Sequence, residues 1–415
     1  MIKILTFLFF KKEFFEMKPK KYLIISFSLL LCTILSCSLI FSSCKKETVT
    51  ETSQAEASVE DTSTDKIPVT PTLDRMIGEM IILGFRGTEV SDSSKIVNDI
   101  NEYNIGGVIL FDYDVPSKSF PRNIVDPKQT KKLIEDLKKL TRSDLFIAVD
   151  AEGGRVNRLK AKYGFIQIES PGAMGESDPQ NTFLKVSPLG LELDYLGFNL
   201  NFAPVVDVNI NKDNPVIGHL ERSFSDDPEK VYQHAGYFID AMHEYNIITA
   251  IKHFPGHGSS TEDSHLGLVD VTHTYNEEVE LFPFKKLIED GKTDIIMTAH
   301  IMNTNIDPDN PATLSSIFLK DILRGRLNYE GVIVSDDMQM GAIDTYFGFE
   351  EAIIKAINAG CDLLIFSNNG REYDNDIAGK AVGVIRKAVR EGKITEEEIS
   401  SSYNRIKELK EKYDM

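Results

Sequence analysis

The feature that most constrains this chain is a repeat. From Ile67 onward, short apolar, β-rich runs alternate with helix-length segments, and eight such runs are present: residues 80–85, 107–111, 145–149, 200–206, 248–253, 294–299, 331–335 and 362–366. Strands alternating with helices predict a parallel sheet covered by helices. Eight of them over this length predict closure into a single (β/α)8 barrel rather than an open doubly wound sheet.

The runs also share a way of ending. Asp150 follows the third, Asp207 the fourth, Lys252 and His253 finish the fifth, His300 follows the sixth, and Asp336 and Asp337 follow the seventh. Active sites of such barrels lie at the C-terminal strand ends, and ordinary loop polarity accounts poorly for a set drawn from five strands. Between the runs, residues 228–245 carry Val231, Tyr232, Ala235, Phe238, Ile239 and Met242 at helical spacing, the pattern of a core-facing helix. Two amphipathic segments, 381–391 and 396–413, flank Gly392-Lys393 and are expected to close the barrel. The expected domain spans 69–415.

The first part of the chain reads differently. Lys18, Lys20 and Lys21 precede an almost wholly apolar or small run from Tyr22 to Phe41, which ends at Ser42-Ser43-Cys44. A charged segment, an apolar segment and a small-residue cleavage site make a secretory signal. It resembles a bacterial lipoprotein signal in which Cys44, with Cys37 as the alternative, is lipidated, so that 1–44 is the signal region and Met17 an alternative start. An uncleaved membrane helix is the competing reading, since the run is long enough to span a bilayer. Residues 45–68, rich in Thr, Ser, Glu and Asp, bury too little to fold and read as a flexible tether. The expected location is membrane-anchored, facing the periplasm or the cell exterior.

The balance of 46 basic against 64 acidic side chains, a formal charge of -18, disfavours a nucleic-acid partner, because phosphate backbones would be repelled. With 42% hydrophobic and 27% charged residues, the composition is that of a soluble enzyme with a substantial core. Three of the four cysteines crowd into the N-terminal apolar stretch, so no disulfide framework is expected, and Cys361 reads as a buried strand residue.

Chemistry concentrates in a few blocks. The segment 252–265 reads Lys-His-Phe-Pro-Gly-His-Gly-Ser-Ser-Thr-Glu-Asp-Ser-His, with three histidines on a strand end and a glycine-rich loop. Residues 149–159 read Val-Asp-Ala-Glu-Gly-Gly-Arg-Val-Asn-Arg-Leu, residues 331–338 Gly-Val-Ile-Val-Ser-Asp-Asp-Met, and residues 221–224 Glu-Arg-Ser-Phe. Together, from about Leu73 to the C-terminus, these blocks resemble the β-N-acetylglucosaminidases of glycoside hydrolase family 3.

Cleaving a glycosidic bond needs a carboxylate at the anomeric carbon and a proton donor at the leaving oxygen. Asp336, at a barrel strand end, is placed for the first task. The resemblance implies His265 for the second, with Asp263 fixing its tautomer and raising its basicity, so that the dyad donates in one step and accepts in the next. It further implies that Asp150, Arg158, Arg222, Lys252 and His253 hold sugar hydroxyls, their plain alternative being salt bridging at the barrel rim. Asp337 is expected to be a neighbour of the nucleophile and His257 a loop-shaping residue.

The resemblance implies a retaining exo-enzyme removing terminal β-linked GlcNAc from peptidoglycan fragments such as muropeptides, or from related glycans, as a monomer without cofactor. A metal site at His253, His257 and His265 is the rival reading of the cluster. The segment lacks the paired spacing of a zinc-protease helix, and no metal is expected. Other rivals are a β-glucosidase of the same family, though these take their acid/base from a further domain; a phosphorylase, since a histidine donor does not repel incoming phosphate; and a sugar-binding lipoprotein, against which Asp336, Asp263 and His265 all argue.

Overall fold

A run of apolar β-formers buried on both faces pairs in parallel and needs helical crossovers to do so. The computed structural model describes residues 71–263 and 267–415, without the side chains of 342, 344 and 345. His265, the anchor cysteines Cys44 and Cys37, the signal region and the tether lie outside them. One unit spans Val69–Met415, and the other, Met1–Pro68, is likewise outside.

The barrel strands are β1 (Ile81–Gly84), β2 (Gly107–Ile109), β3 (Phe146–Val149), β4 (Leu200–Asn201), β5 (Ile248–Phe254), β6 (Ile295–Thr298), β7 (Val332–Asp337) and β8 (Leu363–Phe366). Each pairs in parallel with its neighbours in sequence order, and β1 pairs with β8 to close the ring. The expected (β/α)8 barrel is therefore the fold. Its strands are buried except at Asp336 and Asp337, the half-buried end of β7, with Phe146, Phe202, Phe254 and Phe366 fully enclosed in or beside them, each worth roughly 1.5–3 kcal/mol on burial.

Two strands differ from expectation, both for backbone reasons. The fourth run was expected to extend to Val206, but continuous pairing stops at Asn201. Pro204 has no N–H to give to a ladder, and contact with β5 beyond Asn201 is reduced to a bond from the Ala250 N–H to the Ala203 carbonyl at 3.2 Å and a bridge between Val205 and Lys252. The seventh run, expected to end at Ser335, continues through Asp337. There, Val334 faces Leu363 while Asp337 faces Ile365, so β7 carries one residue more than β8. The Ser335 hydroxyl accepts the Ile365 N–H at 3.1 Å and covers the gap in the ladder. Such bulges re-aim side chains next to active sites, and this one presents Asp336.

The helices surround the ring. α1 (Leu73–Glu79) leads into β1, and α2 (Pro228–His243) precedes β5. The latter starts at Pro228 behind an Asp227 cap that accepts the Glu229 N–H at 3.0 Å, a signal worth about 1 kcal/mol. Val231, Ala235, Phe238, Ile239 and Met242 are buried as expected. Tyr232 sits at the margin, where its hydroxyl donates to Asp290 at 2.6 Å. α3 (Ile377–Arg390) and α4 (Glu396–Lys412) form the tail, the latter opened by a full capping box at Thr395 and Glu398.

α4 seals the N-terminal end of the barrel. Lys410 pairs with Glu79 at 2.7 Å, Lys412 with Asp294 at 2.7 Å, and Arg405 with Asp362 at 2.8 Å. Cys361, fully buried, lies just before β8, where burial pushes its thiol up. Among the described residues no helix is long and apolar enough to cross a membrane.

Candidate active site

The C-terminal ends of the strands open into a cavity of about 580 Å³. Its lining includes Asp150, Arg158, Arg222, Lys252, His253, Asp263 and Asp336. All the site residues expected from sequence that lie within the described residues are therefore brought together.

One wall is an ion network. Asp150, immediately after β3, accepts from Lys252 at 3.1 Å and from Arg158 at 3.3 Å. Burial alone would raise its carboxyl, but these two cations more than offset that and leave it below its ordinary value. Two residues on, and therefore on the same side of an extended segment, is Glu152. It is fully buried and takes a two-pronged bond from Arg222, Nε to Oε2 at 2.7 Å and Nη2 to Oε1 at 2.8 Å, with Lys252 at 2.7 Å from Oε1. Against the burial penalty, Arg222 and Lys252 hold Glu152 down to about 2. Arg222 itself is raised, chiefly by Glu152 against desolvation. A buried network of this kind adds little net stability, but losing one member costs about 3–5 kcal/mol.

The second wall is built on Asp207. Its Oδ1 accepts the backbone N–H groups of His253 (3.1 Å) and His257 (2.8 Å), while Oδ2 lies 2.6 Å from His253 Nδ1. The other ring nitrogen of His253 lies 3.2 Å from Arg222 Nη2, linking the two walls. His257 packs at 2.6 Å from the Ser260 hydroxyl through Nδ1, and burial pushes it down to about 4, so it is neutral at physiological pH. Gly258 is required here, because a Cβ would sit 1.7 Å from the Val208 carbonyl oxygen.

On the opposite side, Asp336 Oδ1 accepts the N–H of Asp337 at 2.7 Å. Asp337 instead turns toward β8, accepting from the N–H and hydroxyl of Ser367. Burial, with help from Asp336, raises its carboxyl to about 6 against those bonds. His300, after β6, holds the Asp337 carbonyl through Nε2 at 2.9 Å and Thr313 through Nδ1 at 2.8 Å. A carboxylate thus faces a wall of fixed donors and acceptors across a cavity, an arrangement suited to gripping a polyhydroxylated ring beside a nucleophile. Among the described residues no three His, Cys, Asp or Glu side chains are grouped to hold a metal ion.

Sequence reasoning assigned no role to Glu152 or Asp207. The first carried a signal, the two-residue spacing from Asp150. The second lay at a strand end, but its partner His253 is 46 residues away.

The family model "Glycosyl hydrolase family 3 N terminal domain" matches residues 72–409. A β-hexosaminidase of Tolumonas auensis is 37% identical over 294 residues, covering 70% of this chain and 83% of that protein. β-Hexosaminidase A of Pseudoalteromonas piscicida is 33% identical over 379 residues, covering 84% of this chain and 62% of that protein. A solved glycoside hydrolase family 3 β-N-acetylglucosaminidase from Paenibacillus sp. str. FPU-7 superposes with a TM-score of 0.75 at 34% identity, covering 83% of this chain and 63% of that one. The chain therefore spans less than two thirds of the length of the last two.

Proposed function

The chain belongs to glycosyl hydrolase family 3, and from that premise we propose that it is a β-N-acetylhexosaminidase that removes terminal β-linked GlcNAc by a retaining mechanism with Asp336 as nucleophile. The observation that carries this reading is Asp336 itself, held at the bulged end of β7 and lining the same cavity as the Asp150–Glu152–Arg222–Lys252 network.

In the first step an Asp336 carboxylate oxygen bonds to the anomeric carbon as the glycosidic bond breaks, and His265 gives its proton to the departing oxygen. In the second, water replaces Asp336 at that carbon while His265 takes the water's proton, restoring both groups. Asp263 orients His265 and stabilises its protonated form. Asp150, Arg158, Arg222, Lys252 and His253 bind the sugar's hydroxyls, and the ion pairs of Asp150 with Lys252 and of Glu152 with Arg222, which hold these groups in fixed positions, support selection among rings by hydroxyl placement. The substrates are peptidoglycan fragments or related GlcNAc-bearing glycans, and the enzyme acts as a monomer tethered through a lipidated Cys44, or Cys37, on the outer side of the membrane.

The decisive experiment is trapping with a fluorinated GlcNAc derivative whose glycosyl-enzyme hydrolyses slowly. Peptide mass spectrometry should find the sugar on Asp336. A label on Asp337, or stoichiometric turnover with no label, overturns the assignment. Digestion of muropeptides and short chitin oligomers, with and without phosphate, identifies the natural substrate and separates hydrolysis from phosphorolysis. The anchor is checked on the native protein, where an intact segment 18–31 in the mature chain would exclude it.

A further inference from the structure

Beneath the histidine loop lies a carboxyl group that the reaction does not use. Glu280, the last residue of a short helix at Glu277–Glu280, is fully buried. Its Oε2 accepts the N–H of Gly258 at 3.0 Å. Gly256, at φ 132°, passes so close that a Cβ there would stand 2.6 Å from both Glu280 Cβ and Oε2. The carboxyl therefore fills the hollow of the turn that runs from β5 toward Asp263.

No Lys or Arg among the described residues pairs with Glu280. The titratable groups that act on it are Asp207, which repels a negative charge, and Tyr275, whose phenol burial raises. On its own helix, Glu277 is engaged at 2.8 Å by Arg326. Oε1 makes no well-formed hydrogen bond, and the Ser259 hydroxyl of the same loop is the side-chain donor nearest to serving it. An isolated buried carboxylate is costly and takes up a proton instead. Burial, reinforced by Asp207 and only partly offset by Ser259 and the loop amides, pushes the group up to about 8.

We propose that Glu280 is a positioning residue that braces the loop 255–263 in its neutral, protonated form, and so sets the register of the acid/base dyad that follows. As the neutral acid it accepts from Gly258 without placing a second negative charge beside Asp207. The sign follows from the raised value. An unfolded glutamate ionises near its ordinary pKa of 4.5, while the folded one keeps its proton up to about 8. The brace therefore stabilises fully at low pH, and its contribution declines as pH rises from 4.5 through 8.

This rests on His265 acting as acid/base, so the test carries that residue as its reference. Glu280→Gln, the neutral isostere, should retain at least half of kcat/KM on a GlcNAc disaccharide at pH 6. Glu280→Ala should lose tenfold or more there, mainly in kcat, and clearly less on a nitrophenyl glycoside that needs no protonation. Between pH 6 and 9 the wild-type Tm should fall relative to that of Glu280→Gln. The proposal is overturned if the Gln variant is as impaired as the Ala variant, if the Tm difference is flat with pH, or if Glu280→Ala hurts both substrates equally while His265→Ala separates them. If His265→Ala itself fails to separate them, it is the acid/base assignment that falls, and the Gln-to-Ala contrast and the Tm profile still decide for or against a neutral brace.

Discussion

The two ends of this barrel are built from the same residue types and do opposite things with them. At the N-terminal end, Asp294 is surrounded by His243, Lys412 and the Tyr413 hydroxyl, each at 2.7 Å, and its carboxyl is held down to about 2. Asp362 is saturated by Arg324 at 2.7 Å, Arg405 at 2.8 Å and Ser402 at 2.9 Å. These acids tie helices to strands and leave no opening. At the C-terminal end, Asp150, Glu152 and Asp336 line a cavity of about 580 Å³. The same acids serve different ends according to the geometry of their partners: enclosed by cations from neighbouring helices they act as rivets, and grouped around an opening they are available to a ligand.

The sharpest way to break this comparison is to remove one acid from each end. Asp336→Ala should lower turnover of every substrate by more than about 10⁴-fold, because no leaving group removes the need for a nucleophile, while Tm stays within a few degrees of wild type. His265→Ala should lose on the order of 10²–10⁴ on natural disaccharides and little glycosylation rate on nitrophenyl glycosides. Added azide should then release a β-glycosyl azide, and equal losses on both substrate types without that product would place the proton donor elsewhere.

At the sealed end, Asp294→Ala should destabilise by about 3–5 kcal/mol, the usual cost of breaking a buried ion pair. Chemical denaturation measures it, and kcat of the folded fraction should be unchanged. A large loss of kcat with little loss of stability would mean that the ends are not separable in this way.

Glu152→Gln tests the intermediate case, a ligand-side residue enclosed almost as tightly as the rivets. KM should rise and kcat/KM fall roughly 10–100-fold, the worth of a charged hydrogen bond, alongside a drop in Tm. Acid titration probes the sealed end more gently. Asp294 has a depressed pKa, so its contribution is present above about 3.8 and is lost as pH falls through about 2, removing ~2 kcal/mol. Equilibrium unfolding at pH 5 and pH 2 should show that loss in wild type and not in Asp294→Ala. The smallest effect is expected from prolonged chelation, which should leave activity intact; loss of activity restored by zinc would favour a metal role for the histidines.

The sequence by itself determined the barrel and the direction of its strands. Alternating apolar runs and helical segments have one economical parallel solution at this length, and once chain direction is set, residues after a run fall at one end and residues before it at the other. Asp144 precedes β3 and Asp150 follows it, which is enough to assign one to the base and one to the mouth. The shortened β4 had a signal in Pro204, whose missing N–H is written in the residue type, but the run reads on through it to Val206. Only the tertiary structure decided the partners. Glu152 meets Arg222 across 70 residues, Asp150 meets Lys252 across 102, and Glu280 meets Gly258 across 22. Periodicity reports what a side chain's near neighbours impose on it. Ion pairing at the mouth depends on where loops from different strands converge, and the neutral state proposed for Glu280 depends on there being no cation beside it among the described residues, which no local pattern records.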